Sequence, residues 1–246
     1  MNSLPDFIII GAQRCGTTSL YNYLIEHPKI KPASQKELHF FDINFSKGIE
    51  WYKSQFEDNY ITTEASPYYL FHPHCPQRIF DILPYVKIII LFRNPIDRAY
   101  SHYWHEIRLG AETLSFEKAI EEEPSRLKGE VDKIMNDEKY YSYNHQHFSY
   151  LSRGKYFEQV KNWYNFFKKS QILILNSEEF YSNPQKTMNL VYDFLDIPKS
   201  NSKKFKVFNE GHNPIMKKDT RKYLSDYFRE YNEQLYDYIE RKFVWK

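Results

Sequence analysis

Disulfides, membrane spans and an excess of either charge are all missing from this chain. Its two cysteines, Cys15 and Cys75, give no disulfide framework for 246 residues and suggest a reducing compartment. No apolar run approaches the ~18 residues of a membrane span, and the N-terminus lacks a basic segment followed by an apolar one. No leader or span is therefore expected, and the expected location is cytoplasmic. Lysine and arginine total 34 against 32 aspartates and glutamates, and the resulting net charge of +2 is too balanced for a nucleic-acid footprint. What is abundant is aromatic: 22 Tyr and 19 Phe, most of them expected in the core and on helix faces. The length suits one domain over residues 1–246.

Residues 8–19 read IIIGAQRCGTTS. A β-branched run enters a loop with two glycines, two threonines and the cation Arg14, and an apolar helical stretch starts at Leu20. Strand, glycine loop and helix in that order make a phosphate cradle, because loop N–H groups and the helix N-terminus both point at an anion. Gly11 and Gly16 match half of the nucleoside-triphosphate P-loop, Gly-x4-Gly-Lys-Ser/Thr, but Thr17 stands at the lysine position and the cation lies inside the loop. A second apolar run, 87–92, ends in Arg93-Asn94-Pro95 and not in an aspartate for Mg²⁺. A metal-free, arginine-lined anion site fits this better than ATP or GTP hydrolysis. The plainer alternative is a loop that only turns the chain into a helix.

Alternating signals run along the rest of the chain. Strands are predicted at 7–10, 61–64, 87–92 and 172–175. Helices are predicted at 17–26, 76–83, from Pro95 to about 108, and at 115–122, 155–168, 185–195 and 220–241. The last carries Tyr223, Tyr227, Tyr231, Leu235 and Tyr238 on one face. This alternation predicts an α/β fold: a P-loop-like three-layer domain with a central, mostly parallel sheet of about five strands flanked by helices. Residues 124–150, charged and then rich in Tyr, His and Asn, read as a surface insertion or lid.

Two further clusters carry chemistry. In Gln35-Lys36-Glu37-Leu38-His39-Phe40-Phe41-Asp42, the carboxylate of Glu37 and the imidazole of His39 project to one side if the piece is extended, and either could take a proton from a hydroxyl. A solvated Lys36–Glu37 pair ahead of a Phe-Phe anchor is the plainer reading. In the segment from Arg93 to Tyr103, Arg93 leaves a buried strand end, where ligands of open α/β sheets bind, and Ser101 follows on the next helix. An arginine fork plus a hydroxyl suits a phosphate monoester. Surface pairing of Asp97 with Arg93 or Arg98 is the alternative.

Taken together the clusters resemble the PAPS-dependent sulfotransferases, in particular the heparan sulfate sulfotransferase-like branch with its bacterial relatives. The similarity runs over nearly the whole chain: Gly11 to Ser19, KELHFFD at 36–42 with GIEWY at 48–52, EASPYY at 64–69, Arg93 to Ser101, Arg153-Gly154-Lys155-Tyr156 with Trp163, and Asn213-Pro214 before a long helix. The resemblance implies 3′-phosphoadenosine 5′-phosphosulfate as donor, adenosine 3′,5′-bisphosphate as product and no required metal. It also implies an acceptor hydroxyl or amine, best guessed as a glycan, with a small molecule open. By the same resemblance Arg14, Cys15, Gly16, Thr17, Thr18 and Ser19 hold the 5′-phosphosulfate, Arg14 also stabilising the leaving group. Glu37 is the catalytic base with His39 as orienter or alternative base, Arg93 and Ser101 grip the 3′-phosphate, and Gly154, Lys155 and Tyr156 are nucleotide-side contacts.

The chain departs from that pattern at three places. Arg14 replaces the usual lysine, as in the tyrosylprotein branch; Ala65 stands where heparan-type enzymes carry a second lysine; and Glu210-Gly211-His212 replaces a basic loop, leaving Lys217 or Lys218 to assist the 3′-phosphate. His72-Pro73-His74-Cys75 has zinc-ligand residue types but supplies at most three ligands, so no metal site is expected. The competing readings are a P-loop nucleotide kinase or NTPase and a catalytically inactive nucleotide-binding relative.

Overall fold

The structure is a computed structural model and describes residues 4–200, 205–206, 208 and 213–245. Glu210, Gly211 and His212 lie outside the described residues. Two compact units are present. One comprises Met1–Phe92 with Trp163–Glu210, the other Arg93–Asn162 with Gly211–Lys246.

The first unit is built on five parallel strands: β1 (Phe7–Gly11), β2 (Ile30–Pro32), β3 (Ile61–Ala65), β4 (Lys87–Phe92) and β5 (Ile172–Asn176), in spatial order β2-β3-β1-β4-β5. Every residue of β1 is buried, as is all of β4 beyond Lys87. Strands covered on both faces need continuous apolar runs, which is why FIIIG and IIILF announce themselves in the sequence. β2 does not: three residues ending in proline carry no periodic signal, and proline is tolerated there because the strand is at an edge.

Eleven α-helices follow in chain order among the described residues: α1 (Thr17–Ile25), α2 (Ile49–Lys53), α3 (Cys75–Ile82), α4 (Pro95–Arg108), α5 (Phe116–Leu127), α6 (Glu130–Asn136), α7 (Tyr143–His147), α8 (Tyr156–Tyr164), α9 (Ser177–Ser182), α10 (Pro184–Leu195) and α11 (Lys218–Ile239). Asn94-Pro95 and Asn183-Pro184 start α4 and α10 in the same way. Each asparagine oxygen accepts an N–H of the first turn, from Ile96 at 3.0 Å and from Lys186 at 3.1 Å, while proline loses a donor that has no intrahelical partner there. Among the described residues no helix is long and apolar enough to cross a membrane.

The second unit is helical. Its core joins Ala99 and Tyr103 of α4, Phe116 and Ala119 of α5, Tyr150, and Leu224 and Phe228 of α11. Residues 124–150 include the end of α5, α6 and α7, and Ile134, His145, Ser149 and Tyr150 are buried. The tyrosine stripe of the last helix is not its buried face. α11 buries Thr220, Leu224, Phe228 and Leu235, whereas Tyr223 is 56% exposed and Tyr227 and Tyr231 are half-buried. Leucine and phenylalanine take the interior because each tyrosine carries a hydroxyl that must be satisfied.

Candidate active site

The glycine loop leaves β1 and enters α1 in the first unit. Its two glycines serve different ends. A Cβ on Gly11 would lie 2.6 Å from the Cβ of Leu70, so this glycine permits close packing of two chain segments. Gly16 sits in the left-handed region at φ +94°, just before α1, where a Cβ would also lie 2.7 Å from the Tyr181 hydroxyl. Arg14 is left-handed too, at φ +67°, an uncommon conformation for a residue with a side chain. α1 opens with no side-chain cap and no acidic residue in its first turn. Its first N–H groups lack intrahelical partners, so the positive end of the helix faces the loop. Cys15, Thr17 and Ser19 are buried, while Arg14, Gly16 and Thr18 are half-buried. Ser177 Oγ donates to the Cys15 carbonyl, and Ser19 Oγ accepts the Phe208 N–H at 3.2 Å, so the loop rests on β5–α9 and on Phe208.

The Glu37 segment lies in the same unit. It forms turns and not an extended piece, with His39 at φ +50°, yet the pairing expected of an extended piece is made. His39 Nε2 stands 3.0 Å from Glu37 Oε2, and His39 Nδ1 stands 2.7 Å from Asp42 Oδ2. Lys36 Nζ donates to Glu37 Oε1 at 3.0 Å, so the plain lysine–glutamate pair exists alongside the imidazole contact. Leu38, Phe40 and Phe41 are buried and anchor the segment, leaving Glu37 and His39 half-exposed.

Electrostatics separate the two groups. Burial works against the charged form of both, but is outweighed in each case. The His39 hydrogen bond and Lys36 lower the Glu37 pKa below 4.5, and Asp42 with Glu37 raises His39 from 6.5 to about 10. At neutral pH Glu37 is a carboxylate and His39 an imidazolium, with Asp42 on the far ring nitrogen. Glu37, depressed in the fold, adds stability that is fully present above pH 4.5 and lost as pH falls through its lowered pKa. His39, raised in the fold, adds stability fully present below pH 6.5 and lost as pH climbs toward about 10. The Tm difference between wild type and His39→Asn is therefore expected to be constant from about pH 5 to 6.5 and to shrink between about pH 7 and 10. A difference that holds through pH 10 would show that no imidazolium is stabilised.

Beneath the segment lies Glu64, 1% exposed on β3. Its carboxylate accepts from the hydroxyls of Tyr52, Ser66 (3.0 Å) and Tyr69 (3.2 and 3.3 Å). Ser66 Oγ also accepts the His39 N–H at 3.1 Å, and Tyr69 Oη accepts the Phe40 N–H at 2.7 Å. One residue further, the Leu70 N–H donates to the Ile10 carbonyl at 2.9 Å and its side chain fills the space over Gly11. Residues 66–70 thus fasten the Glu37 segment at one end and the start of the glycine loop at the other. Reasoning from sequence assigned no role to Glu64, Ser66 or Tyr69. The available signal was a carboxylate inside the strand ITTEA, a buried charge that must find partners.

The remaining expected residues gather in the second unit. Tyr156 Oη donates to the Arg93 carbonyl at 3.0 Å. A Cβ on Gly154 would meet Phe228 at 2.6 Å and Pro95 Cβ at 3.1 Å, so this glycine admits the first turn of α4. Arg93, Gly154 and Tyr156 therefore assemble at the start of α4, and Ser101 is buried further along that helix. Lys155 instead points at α11, with Nζ 4.7 Å from the Tyr231 ring centre and 5.8 Å from that of Tyr227. Asp97 pairs with Arg221, Arg98 is fully buried, and Lys217 pairs with Glu117 at 3.2 Å.

A parallel sheet whose first strand runs through a glycine loop into an uncapped helix defines a P-loop-like α/β protein. The profile of the sulfotransferase domain family matches residues 4–235, across both units, and the chain belongs to that family of group-transfer enzymes. It is 29% identical over 99% of its length to the membrane-associated sulfotransferase kil1 of Dictyostelium discoideum, spanning 67% of that protein. It is 30% identical over 80% of its length to bifunctional heparan sulfate N-deacetylase/N-sulfotransferase 1 of Caenorhabditis elegans, of which it spans 22%. Among solved structures, a sulfotransferase from Alicyclobacillus acidocaldarius superposes with a TM-score of 0.83 at 30% identity, covering 98% of both chains.

Proposed function

We propose that this chain transfers a sulfuryl group from 3′-phosphoadenosine 5′-phosphosulfate to a hydroxyl or amine, in line and with Glu37 as the base. The observation that carries the reading is the clamp of residues 66–70, which ties a proton acceptor and an anion-binding loop to one sheet. Arg14 and the N-terminus of α1 hold the 5′-phosphosulfate and stabilise charge on the departing phosphate. Cys15, Gly16, Thr17, Thr18 and Ser19 complete that cradle. His39, held by Asp42, orients Glu37. Ionised throughout the neutral range, Glu37 stands ready to accept the acceptor's proton, though its lowered pKa makes it a modest base. Arg93 and Ser101 grip the 3′-phosphate, with Gly154, Lys155 and Tyr156 on the nucleotide side. Alignment and electrostatics supply most of the acceleration, as in phosphoryl transfer.

Relatives named as heparan sulfate N- and 3-O-sulfotransferases support a glycan amine or hydroxyl as acceptor. Mass spectrometry of a panel including N-deacetylated heparosan, incubated with donor, reads the acceptor directly. For the donor, thermal-shift titration decides. Adenosine 3′,5′-bisphosphate is expected to raise Tm by several degrees at a hundredfold excess over its Kd, about 2.7 kcal/mol of stabilisation, and to exceed any shift from ATP with Mg²⁺. A larger shift with ATP and Mg²⁺ would replace this reading by a nucleotide kinase or NTPase.

A further inference from the structure

The buried hydroxyl cluster below the Glu37 segment has a direction. An ionised carboxylate only accepts, an amide N–H only donates, and a hydroxyl has one proton to give. With the protons of Ser66 and Tyr69 turned toward Glu64, only their lone pairs are left for the N–H groups of His39 and Phe40. The order amide, hydroxyl, carboxylate runs along both branches, the two hydroxyls also lie within hydrogen-bond reach of each other, and Tyr52 adds a third donor from α2. One end of each branch grips the turn where His39 is held left-handed, a conformation that persists only when its surroundings enforce it.

We infer that Glu64 is a positioning residue for the transfer reaction: its carboxylate turns two hydroxyls so that they lock the segment carrying Glu37 and His39. The inference rests on the assignment of Glu37 as base. Protonation of Glu64, or its replacement by Gln, puts a donor where three hydroxyls already donate, and one of them must turn away. When Ser66 or Tyr69 is the one that turns, the loss is felt at the N–H of His39 or Phe40. Burial raises Glu64 to about 7 in spite of its hydroxyl donors, so this release falls near neutral pH. The groups facing Glu64 are Tyr21 of α1, Tyr52 of α2, Asp42, Tyr69 and Cys75 of α3. Burial lifts Tyr21 to about 12 and pushes Tyr52, Tyr69 and Cys75 well up, so all four stay protonated and Asp42 is the other carboxylate there. Glu37 titrates below 4.5 and cannot itself produce a step near 7.

The test combines spectroscopy with turnover of N-deacetylated heparosan by the full chain. In wild type, the His39 imidazole ¹H–¹⁵N signals are expected to shift with a midpoint near pH 7, and kcat to fall as pH drops through the same midpoint. In Glu64→Gln the shift and the acid limb disappear and kcat falls about 10- to 100-fold, as for a displaced reacting group, while KM for donor stays within about twofold. A purely structural Glu64 would lower Tm but leave the pH limb in place. Wild-type His39 signals that are flat from pH 6 to 8, or a folded Glu64→Gln with unchanged kcat and limb, overturn the inference. Should Glu64→Gln not fold, Tyr69→Phe, which keeps the ring and removes one branch, decides by the same readouts. Glu37→Gln run in parallel separates the two proposals. Full activity there removes the base assignment, whereas an inactive Glu37→Gln beside an unaffected Glu64→Gln removes only this inference.

Discussion

Glu37→Gln is expected to reduce sulfuryl transfer by about 10²- to 10⁴-fold, the range associated with loss of a positioned general base. The substitution keeps the shape and one acceptor oxygen but cannot take a proton. Lys36 would lose its anionic partner and His39 one of two, so a modest fall in Tm should accompany it. Binding of adenosine 3′,5′-bisphosphate, measured by calorimetry, should stay within about twofold, because the glycine loop is tied to β4 through the Ala12 N–H and to α9 through Ser177, and Glu37 makes neither bond. Transfer at the wild-type rate would remove Glu37 from the chemistry. Loss of product binding together with rate would instead make its role structural.

Arg14 should separate stability from activity. Its backbone lies at φ +67°, which costs about 1–2 kcal/mol for a residue with a Cβ. Arg14→Gly removes that strain while loosening the unfolded chain, so Tm is expected to stay level or rise. Turnover should fall about 10²- to 10³-fold, as when one donor to a developing anion is deleted. Arg14→Lys keeps charge but loses the planar fork, and is expected to retain more activity than Arg14→Gly. Single-turnover rates with labelled donor, beside thermal melts, check both. A Gly variant that is clearly less stable, or one that turns over normally, would show that the left-handed arginine serves packing and not the donor.

Much of this architecture was legible before any coordinates. β1 and β4 declare themselves because strands buried on both faces require unbroken apolar runs, and the Asn-Pro starts of α4 and α10 because capping is local chemistry. The loop between β1 and α1 was equally plain, since Gly16 must occupy a left-handed position. β2 was hidden because three residues with a terminal proline have no period, and its pairing with β3 joins Ile30 to Ile61, far along the chain. The helix of α11 and its tyrosine-bearing face were legible from the spacing, but that Leu224 and Phe228 take the core while Tyr223 stays exposed is decided by packing.

At the candidate site the division follows the range of the forces. The sequence alone determined the residue types, the spacing of Gly11, Arg14 and Gly16, and the nearness of Glu37 to His39, all set within a few bonds of chain. Tertiary structure alone decided that Asp42 takes the far nitrogen of His39, that the 66–70 segment fastens Glu37's turn to the glycine loop, and that Glu64 lies beneath both. Those arrangements depend on hydroxyl directions and burial. Both exist only once the sheet has closed around them and water has left.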